Sequence, residues 1–287
     1  MSQTKVRAFF DEATNTASYV VSDPSTRRAA IIDPVLDFKP ASARTATLSA
    51  ELIIDYVKEH ELGVDWILET HVHADHLSSS QYLQDNLGGQ IAIGSGVRSV
   101  QDAFRNIFEL GELDAACGQF DVLFNDNDAF QIGSIAARVL ATPGHTPACV
   151  TYLIGDAAFV GDTLFMPDFG TARTDFPGGS AIELYASIQK ILELPEATRL
   201  FMCHDYKAPG REEFAWETSV LQQREKNIHI NTSVSSAAFV EMREGRDRQL
   251  GMPALIIPAL QVNLRAGRLP EAHENGIQYL NIPVDVL

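Results

Sequence analysis

Side chains of the types that bind metals are concentrated in one short segment of the chain. His71, His73, Asp75 and His76 lie within six residues and follow the apolar run at residues 66–68. In an extended segment alternate side chains point the same way, so His71 and His73 share a side, and a turn then brings Asp75 and His76 back towards them. A lone histidine is usually a packing or surface residue, but imidazole and carboxylate groups at this spacing favour a metal site.

Three further residues of the same types follow other predicted strands. His145, Asp162 and His204 each come after a short β-branched or aromatic run. In α/β architectures ligands bind at the carboxyl ends of the strands. We therefore expect seven side chains from four segments to converge, namely His71, His73, Asp75, His76, His145, Asp162 and His204.

On these residues the chain resembles the metallo-β-lactamase superfamily. The superfamily motif His-x-His-x-Asp-His, followed by a further His, an Asp and a final His, is matched position for position over about residues 5–230. The resemblance implies an α/β (α+β) fold, a four-layer αββα sandwich of two mixed sheets with outer helices and with metal at the sheet edges. We accordingly expect residues 1–230 to form the catalytic domain and residues 231–287 to form a C-terminal extension packed on the same domain.

A second set of residues points to one branch of that superfamily. The runs at residues 162–165 and 173–176, the latter reading Arg-Thr-Asp-Phe, resemble the persulfide dioxygenases (sulfur dioxygenases), which are related to glyoxalase II. The resemblance implies an oxidoreductase with one iron(II) ion per chain on His71, His145 and Asp162. Such an enzyme oxidises glutathione persulfide with O2 and water to sulfite and glutathione. Two imidazoles and one carboxylate leave coordination positions open for a sulfur donor and O2 side by side.

The other four ligand-type residues have two alternative roles. His73, Asp75, His76 and His204 either hydrogen-bond metal-bound water and orient the iron ligands, or they complete a second metal site. With two zinc ions the chain would be a glyoxalase II-like hydrolase of a thioester or lactone. The run at residues 173–176 favours the dioxygenase, because glyoxalase II typically lacks its Thr-Asp-Phe part. A metal-binding sulfur carrier or sensor without turnover is a third alternative, which the complete ligand set disfavours.

The charge of the chain limits its partners. It has 22 basic and 38 acidic residues, a formal net charge of −16, which disfavours nucleic acid and anionic membranes as partners because both require basic surface. Glutathione persulfide is also an anion, so its pocket needs local cations. The candidate substrate-binding residues are Arg173, Tyr206, Lys207, Arg211 and Arg224.

These candidates differ in the strength of their case. Arg173 comes first, because the arginine fork binds carboxylates in a bidentate manner. A solvated helix face explains Lys207, Arg211 and Arg224 at least as well. Tyr206 either reaches the peptide part of the substrate or packs as an aromatic residue at a strand end.

The cysteines give no sign of a structural role. Cys117, Cys149 and Cys203 are odd in number and widely spaced, which excludes a disulfide framework or a structural zinc knot. Alternation along the predicted strand points Cys203 away from the side chain of His204, so we expect a small buried hydrophobe, and the same for Cys149. Reduced thiols, the lack of a leader pattern at the N-terminus and the lack of a membrane-length apolar run predict a cytoplasmic protein.

Hydrophobic patterning predicts strands and helices in alternation. Residues 6–10, 18–21 and 29–32 form an antiparallel meander, and Gly133-Ser134 and Gly155-Asp156 are hairpin turns.

Four further segments complete the expectation. Ser49 caps a helix whose apolar face includes Leu52, and residues 211–226 form a charged helix. Residues 111–128 are an acidic surface excursion, and residues 255–264 show no clear period. The excursion or the C-terminal segment could supply the interface of a homodimer.

Overall fold

The computed structural model describes residues 4–286. In chain order its strands are β1 (Lys5–Asp11), β2 (Thr16–Asp23), β3 (Arg28–Ile32), β4 (Val35–Lys39), β5 (Arg44–Ala46), β6 (Gly63–Leu68), β7 (Leu77–Ser78), β8 (Gln90–Gly94), β9 (Val122–Phe124), β10 (Ala129–Ile132), β11 (Ile135–Ala141), β12 (Val150–Ile154), β13 (Ala157–Phe159), β14 (Arg199–Phe201) and β15 (Glu217–Ser219). Its α-helices are α1 (Leu48–Glu59), α2 (Ser80–Leu87), α3 (Val97–Arg105), α4 (Ala181–Leu192), α5 (Val220–Lys226), α6 (Ser236–Asp247) and α7 (Ile256–Asn263). Short 3-10 turns lie at Pro40–Ser42 and Gly161–Thr163.

Two six-stranded mixed sheets form the body of the molecule. The first has the order β1-β2-β3-β6-β8-β9, antiparallel up to β3 and parallel from β3 onwards. The second has the order β10-β11-β12-β13-β14-β15, in which only β13 and β14 are parallel neighbours. A small sheet of order β5-β4-β7 includes the two residues that directly follow His76.

Apolar side chains are buried in three core layers, one between the two sheets and one between each sheet and its outer helices. This arrangement confirms the predicted αββα sandwich. Between the two sheets lies a core that includes Tyr19 and Leu68 from the first sheet and Tyr152 and Phe159 from the second. The outer face of the first sheet packs against α1, α2, α3 and α7, and the outer face of the second packs against α4, α5 and α6. Each helix thus covers an apolar sheet face that water would otherwise contact.

The predicted meander and both hairpins are confirmed. The turns at Gly133 and Gly155 have φ values of 57° and 60°, a left-handed conformation that glycine adopts without a Cβ clash. Ser180 caps α4 by accepting a hydrogen bond from the backbone N–H of Glu183.

Two expectations about α1 are wrong. Thr47, not Ser49, occupies the N-cap position, and Ser49 lies in the first turn, where its backbone N–H and hydroxyl donate to Asp37 at 3.0 and 2.8 Å. Leu52 is 60% exposed, and Ile53 and Val57 are among the buried residues of this helix instead. The prediction included Leu52 in the buried face of the helix because it is apolar and adjacent in sequence to Ile53.

Three expectations about later segments are also wrong. Residues 211–226 contain a loop and β15 before α5 begins, because Arg211 is held in the loop by carboxylates. The segment 111–128 is not only a surface excursion, since it contains β9 and buries Cys117 and Phe120. Residues 255–264, which showed no clear period, form α7.

The C-terminal helices pack on the same cores as the rest of the chain. Phe239 of α6 lies with Leu184 and Val220 in the core under the second sheet, and Leu260 of α7 lies with Ile53 in the core under the first. The predicted boundary at residue 230 stays a prediction. Within residues 4–286, no helix has the length and apolar character needed to span a bilayer.

We expect Phe239→Ala to lower the free energy of unfolding by about 3–5 kcal/mol, because it removes a fully buried ring from the core that joins α6 to α4. Urea unfolding followed by circular dichroism measures the change. Leu52→Ala is the control and should stay within about 0.5 kcal/mol of the parent, since its side chain is exposed. A Phe239→Ala protein as stable as the control would contradict the packing of α6.

Candidate metal centre

The seven ligand-type residues lie at one edge of the sandwich. Strands β11, β13 and β14 run in the same direction, so the segments that follow them emerge at one edge of the second sheet. The segment that follows β6 of the first sheet meets them there, where the backbone N–H of Val150 donates to the carbonyl of Thr70 at 2.9 Å. This joins the segments carrying His71 and His145.

Three of the residues form a compact set. Single donor atoms of His71, His145 and Asp162 all lie within 4.8 Å of one another. His71 Nε2 is 3.9 Å and His145 Nε2 is 3.7 Å from Asp162 Oδ2, and the two imidazole rings are nearly perpendicular at 86°. Two histidines and one carboxylate in such an arrangement match the facial set that holds non-haem iron(II).

Hydrogen bonds on the far side of four histidines orient them towards a common centre. In each ring Nδ1 faces a backbone carbonyl or a threonine hydroxyl, which requires the proton on Nδ1 and leaves the Nε2 lone pair free. The four contacts are His71 Nδ1 to Thr70 Oγ1 at 3.0 Å, His76 Nδ1 to the Leu77 carbonyl at 3.2 Å, His145 Nδ1 to the Arg173 carbonyl at 2.8 Å and His204 Nδ1 to the Asn15 carbonyl at 3.2 Å.

The donor atoms that face the centre are buried without a hydrogen-bond partner in the described part of the chain. These atoms are His71 Nε2, His73 Nδ1, His76 Nε2, His204 Nε2 and Asp162 Oδ1. Each buried polar atom left unpaired costs about 1–3 kcal/mol. A cluster of such atoms around one point is explained by a bound cation, which accepts every lone pair at once, so the residues fit a metal.

His73 is oriented the opposite way by two buried carboxylates. Its Nε2 lies 3.0 Å from Asp33 Oδ1 and 3.4 Å from Glu69 Oε2, which leaves Nδ1 towards the centre. Burial acts to lower the pKa of His73, but the two carboxylates outweigh it and raise the pKa well above the usual range. Carboxylates in this position make the opposite ring nitrogen a stronger metal ligand.

Neither Asp33 nor Glu69 was predicted to belong to the site. The signal was available for Asp33, which directly follows β3, the parallel neighbour of the strand that delivers His71. Asp33 also accepts hydrogen bonds from the backbone N–H and the hydroxyl of Thr70 at 2.7 and 2.8 Å. Glu69 accepts from the hydroxyls of Ser78 and Ser80.

A second group of donors lies beside the first. His204 Nε2 is 3.1 Å from Asp75 Oδ2 and 3.4 Å from Asp162 Oδ1, so His204 adjoins both carboxylates. Single donor atoms of His73, His76, Cys203 and His204 also lie within 4.8 Å of one another.

The expected orientation of Cys203 is therefore wrong, although its burial is confirmed at 2% exposure. Strand β14 ends at Phe201, so the alternation of side chains does not extend to residues 203 and 204. Burial raises the pKa of the Cys203 thiol well above its usual range. Cys149 is buried as expected, and burial raises its pKa to about 12.

The four predicted substrate cations have partners within the protein. Arg173 Nε and Nη2 lie 2.5 and 2.6 Å from the carboxylate of Asp175. Arg211 binds Asp168 and Asp205, Arg224 donates to the Leu192 carbonyl and to Glu196, and Lys207 Nζ lies 4.1 Å from the ring centre of Phe214. These contacts favour the alternative reading of Arg173 as a structural ion pair, and its substrate role stays a prediction.

Tyr206 is the one predicted substrate residue whose side chain lies beside the metal ligands. Its hydroxyl is 3.4 Å from Asp75 Oδ2, and the residue as a whole is 41% exposed. The ring lies 5.9 Å from that of Phe165 and 5.3 Å from that of Phe169, and on the other side of the site the ring of Phe176 lies 6.2 Å from that of His145. Aromatic side chains thus line two sides of the centre.

Side chains from the two C-terminal helices fasten the site. Asn263 of α7 donates to the carbonyls of His73 and His76 at 2.8 Å each and accepts from the backbone N–H of Ser78 at 2.8 Å. Asp247 of α6 accepts from the backbone N–H of Thr174 at 2.8 Å, which fixes the loop that carries the carbonyl bonded to His145.

The carboxylate of Asp247 has its own buried partner. Arg243 Nε donates to it at 2.9 Å, and Arg243 Nη1 donates to the carbonyl of Thr171 at 3.1 Å. Both charged side chains are buried, so the pair is held in one geometry and resists displacement by water. Neither Asn263 nor Asp247 was predicted as a site residue.

Comparison with known proteins places this geometry in a family. Residues 12–204 match the model of the metallo-beta-lactamase superfamily. The chain is 46% identical over 289 residues to glyoxylase B2 of Dictyostelium discoideum, an alignment that covers 100% of this chain and 99% of that protein. It is 31% identical over 265 residues to the persulfide dioxygenase ETHE1 of Homo sapiens, with coverage of 91% and 88%.

The fold is also similar to a solved structure. The crystal structure of ETHE1 from Myxococcus xanthus superposes on this chain with a TM-score of 0.73 at 29% sequence identity. The match covers 92% of this chain and 100% of that one. The chain spans only 65% of the length of the beta-lactamase hydrolase-like protein of Agrobacterium fabrum, to which it is 53% identical over 282 residues.

We expect Asn263→Ala to weaken metal binding by about 10- to 100-fold, as loss of groups that orient metal ligands does in other proteins. The amide is the only side chain in the described residues that donates to both the His73 and the His76 carbonyl. Competition with a chromophoric chelator measures the affinity. Asn275→Ala, which removes an exposed amide bonded to the Tyr279 hydroxyl, is the matched control and should bind metal like the parent. Equal affinities for both variants would show that α7 does not position the motif.

Proposed function

The chain belongs to the metallo-β-lactamase superfamily, as its ligand motif predicted, and we propose that it is an iron(II)-dependent persulfide dioxygenase. In this proposal it oxidises glutathione persulfide with O2 and water to sulfite and glutathione. The observation that carries the proposal is the compact set of His71, His145 and Asp162, whose donor atoms lie within 4.8 Å of one another. This is the ligand set of mononuclear non-haem iron enzymes.

Two likenesses support the proposal. The chain covers the whole of the Myxococcus xanthus ETHE1 structure at a TM-score of 0.73, and it is 31% identical to the human persulfide dioxygenase. The loop with the Arg-Thr-Asp-Phe run at residues 173–176 also lies at the centre, because the carbonyl of Arg173 accepts a hydrogen bond from His145. The feature that distinguished the dioxygenases in sequence is thus part of the site.

The overall reaction balances as GSSH + O2 + H2O giving GSH and H2SO3, which loses its protons to solvent. O2 is reduced, and the outer sulfur of the persulfide is oxidised as its bond to the glutathione sulfur breaks. Iron(II), when bound, supplies open coordination positions for sulfur and oxygen donors and the electrons that activate O2.

In this proposal the residues of the chain orient the metal ligands and limit the access of water to the centre. Hydrogen bonds to Thr70 and to the Arg173 carbonyl hold the rings of His71 and His145 with Nε2 towards the centre. Phe176 and the aromatic group around Tyr206 limit the access of water on two sides. In this proposal the Tyr206 hydroxyl, 3.4 Å from Asp75 Oδ2, contacts the bound thiol or its peptide.

The setting agrees with this chemistry. Cys117, Cys149 and Cys203 are buried and free of disulfides. Free thiols are typical of a reducing compartment such as the cytoplasm, where low-molecular-weight thiols and their persulfides are found. We include a cytoplasmic location in the proposal.

A dinuclear zinc hydrolase of the glyoxalase II type is the second candidate. The observation that favours it is the pair of buried, unpartnered Nε2 atoms of His76 and His204, which adjoin Asp75 and Asp162. The 46% identity to glyoxylase B2 points the same way. In this candidate Asp75, His76, Asp162 and His204 would help to hold a second zinc ion, and the two ions would supply activated water for hydrolysis of a thioester.

Metal analysis together with oxygen uptake decides between the two candidates. We expect protein expressed with iron to contain about one iron per chain and to consume about one O2 per glutathione persulfide. Asp162→Ala should lower the rate of O2 uptake more than about 100-fold, since even groups that only orient ligands give 10- to 100-fold effects.

Asp55→Ala is the matched control, because it removes an exposed carboxylate of α1. Its O2 uptake should equal that of the parent. Two zinc ions per chain, no O2 uptake by iron-loaded protein and hydrolysis of a lactoylglutathione-type thioester without O2 would overturn the dioxygenase proposal in favour of the hydrolase.

A further inference from the structure

A concave apolar groove lies between the hairpin of β4 and β5, the start of α7 and the C-terminal segment that follows α7 (residues 264–286). Its volume is about 840 Å³. Pockets that bind small molecules typically have volumes of about 300–1,000 Å³ and are lined mainly by apolar side chains with a few polar groups. The groove has that size and character, and its walls include Phe38, Leu255, Ile257, Leu280 and Ile282.

Apolar side chains of the groove are in contact with water. Ile282 is 72% exposed and Ile277 is 52% exposed, although both line the groove. Leu255 and Leu280 are half-buried, because they pack on the small core that contains Val262. Exposed apolar surface that is collected in a concave site, rather than scattered singly, marks a place where another molecule binds.

Among the described residues that line the groove, Arg44 alone is charged. Its side chain is exposed on β5 and makes neither an ion pair nor a hydrogen bond with the described part of the chain, whereas Arg265 and Arg28 are bonded to Glu112 and Asp65. The arginine fork binds carboxylates in a bidentate manner. An unpaired guanidinium at the wall of an apolar groove is therefore complementary to a ligand that combines an aliphatic chain with one carboxylate.

The charge of the chain favours such a ligand over a second copy of the protein. Two copies that met through this face would bring two net charges of −16 together and place two Arg44 side chains in the same interface. A single aliphatic anion brings one negative charge to the unpaired cation of the groove. An adjacent cavity of about 830 Å³ repels such an anion, because four glutamates line it, namely Glu109, Glu112, Glu271 and Glu274.

We propose that this groove binds a free medium-chain carboxylic acid as its anion, with the aliphatic chain against α7 and the C-terminal segment and the carboxylate on Arg44. Ile257 and Pro258 of the lining belong to α7, the helix whose Asn263 holds the metal motif. The ligand therefore contacts the helix that fastens the centre, but none of the seven candidate metal ligands lines the groove. The inference does not rest on the dioxygenase proposal, since it concerns binding at a separate site.

Calorimetric titration of the full-length protein with decanoate tests the groove. We expect about one decanoate to bind per chain, and decanol to bind at least about 10-fold more weakly, because it cannot form the charge-assisted bonds to the guanidinium. Metal-free and metal-loaded protein are both titrated, since a carboxylate can also bind a metal ion. Decanoate binding that requires metal would place the ligand at the metal centre and overturn the proposal.

Two matched pairs of variants locate the ligand. Arg44→Glu should weaken decanoate binding at least about 10-fold, whereas Arg98→Glu makes the same charge change at an exposed position of α3 and should bind like the parent. Ile282→Asp should abolish binding, because it places a carboxylate in the groove. Val284→Asp should have no effect, since Val284 is 76% exposed in the same segment but does not line the groove. Circular dichroism checks that all four variants are folded.

Photo-crosslinking with a diazirine derivative of decanoate maps the site in the unaltered protein. We expect labelled peptides from residues 254–258 and 276–282. Labelling confined to the segments around the metal centre, no binding of decanoate by the parent, or equal effects of Arg44→Glu and Arg98→Glu would overturn the proposal. A parent that does not bind decanoate and forms a dimer that Ile282→Asp dissociates would assign the groove to a second copy of the chain instead.

Discussion

The buried carboxylate of Asp33 is the constraint on which the rest of the metal centre depends. A carboxylate taken out of water costs several kcal/mol unless its oxygens are paired. Asp33 is 2% exposed, and it is paired by the backbone and hydroxyl of Thr70 and by the ring of His73. Since Thr70 Oγ1 donates to Asp33, it is left to accept from His71, so one carboxylate determines the orientation of two adjacent ligands in opposite senses. Asp33, at the end of β3, thereby positions the histidine motif that follows β6.

The C-terminal helices complete what Asp33 begins. Asn263 of α7 holds the carbonyls of the metal motif, and Asp247 of α6 holds the loop whose carbonyl orients His145. The two helices pack on opposite faces of the sandwich, so each fastens the half of the site that its own sheet supplies. The sequence of the C-terminal segment gives no local signal of a functional site. Its helices α6 and α7 nevertheless position the residues of the metal centre directly.

The sequence was sufficient to predict that the seven candidate ligand residues converge, because that depends on local signals, and the family resemblance implied the sandwich. Metal-ligand types recur where strands end, and strands show in the alternation of apolar residues. It was not sufficient for Asn263, which contacts the His73 carbonyl across 190 residues, since no local pattern encodes a partner that distant. Asp33 directly follows a strand, but the parallel pairing of β3 with β6 that brings it to His73 was not predicted. The error at Cys203 has a different cause. Alternation is a property of a strand, and β14 ends two residues before that cysteine.

The charges of the site leave the metal as the main attraction for an anion. Arg173 and Arg211, which lie in the segments around the centre, are each bonded to carboxylates of the chain, and the net charge of the chain is −16. The net charge of the chain repels the anionic persulfide of the proposed reaction, and a bound divalent ion would supply positive charge at the site. In a buried site a pair of opposite charges interacts more strongly than in water, because the effective dielectric constant is lower. In the proposed reaction, binding of the substrate and loading of the metal would therefore be coupled, while Arg173 and Arg211 are paired with carboxylates of the segments that surround the centre.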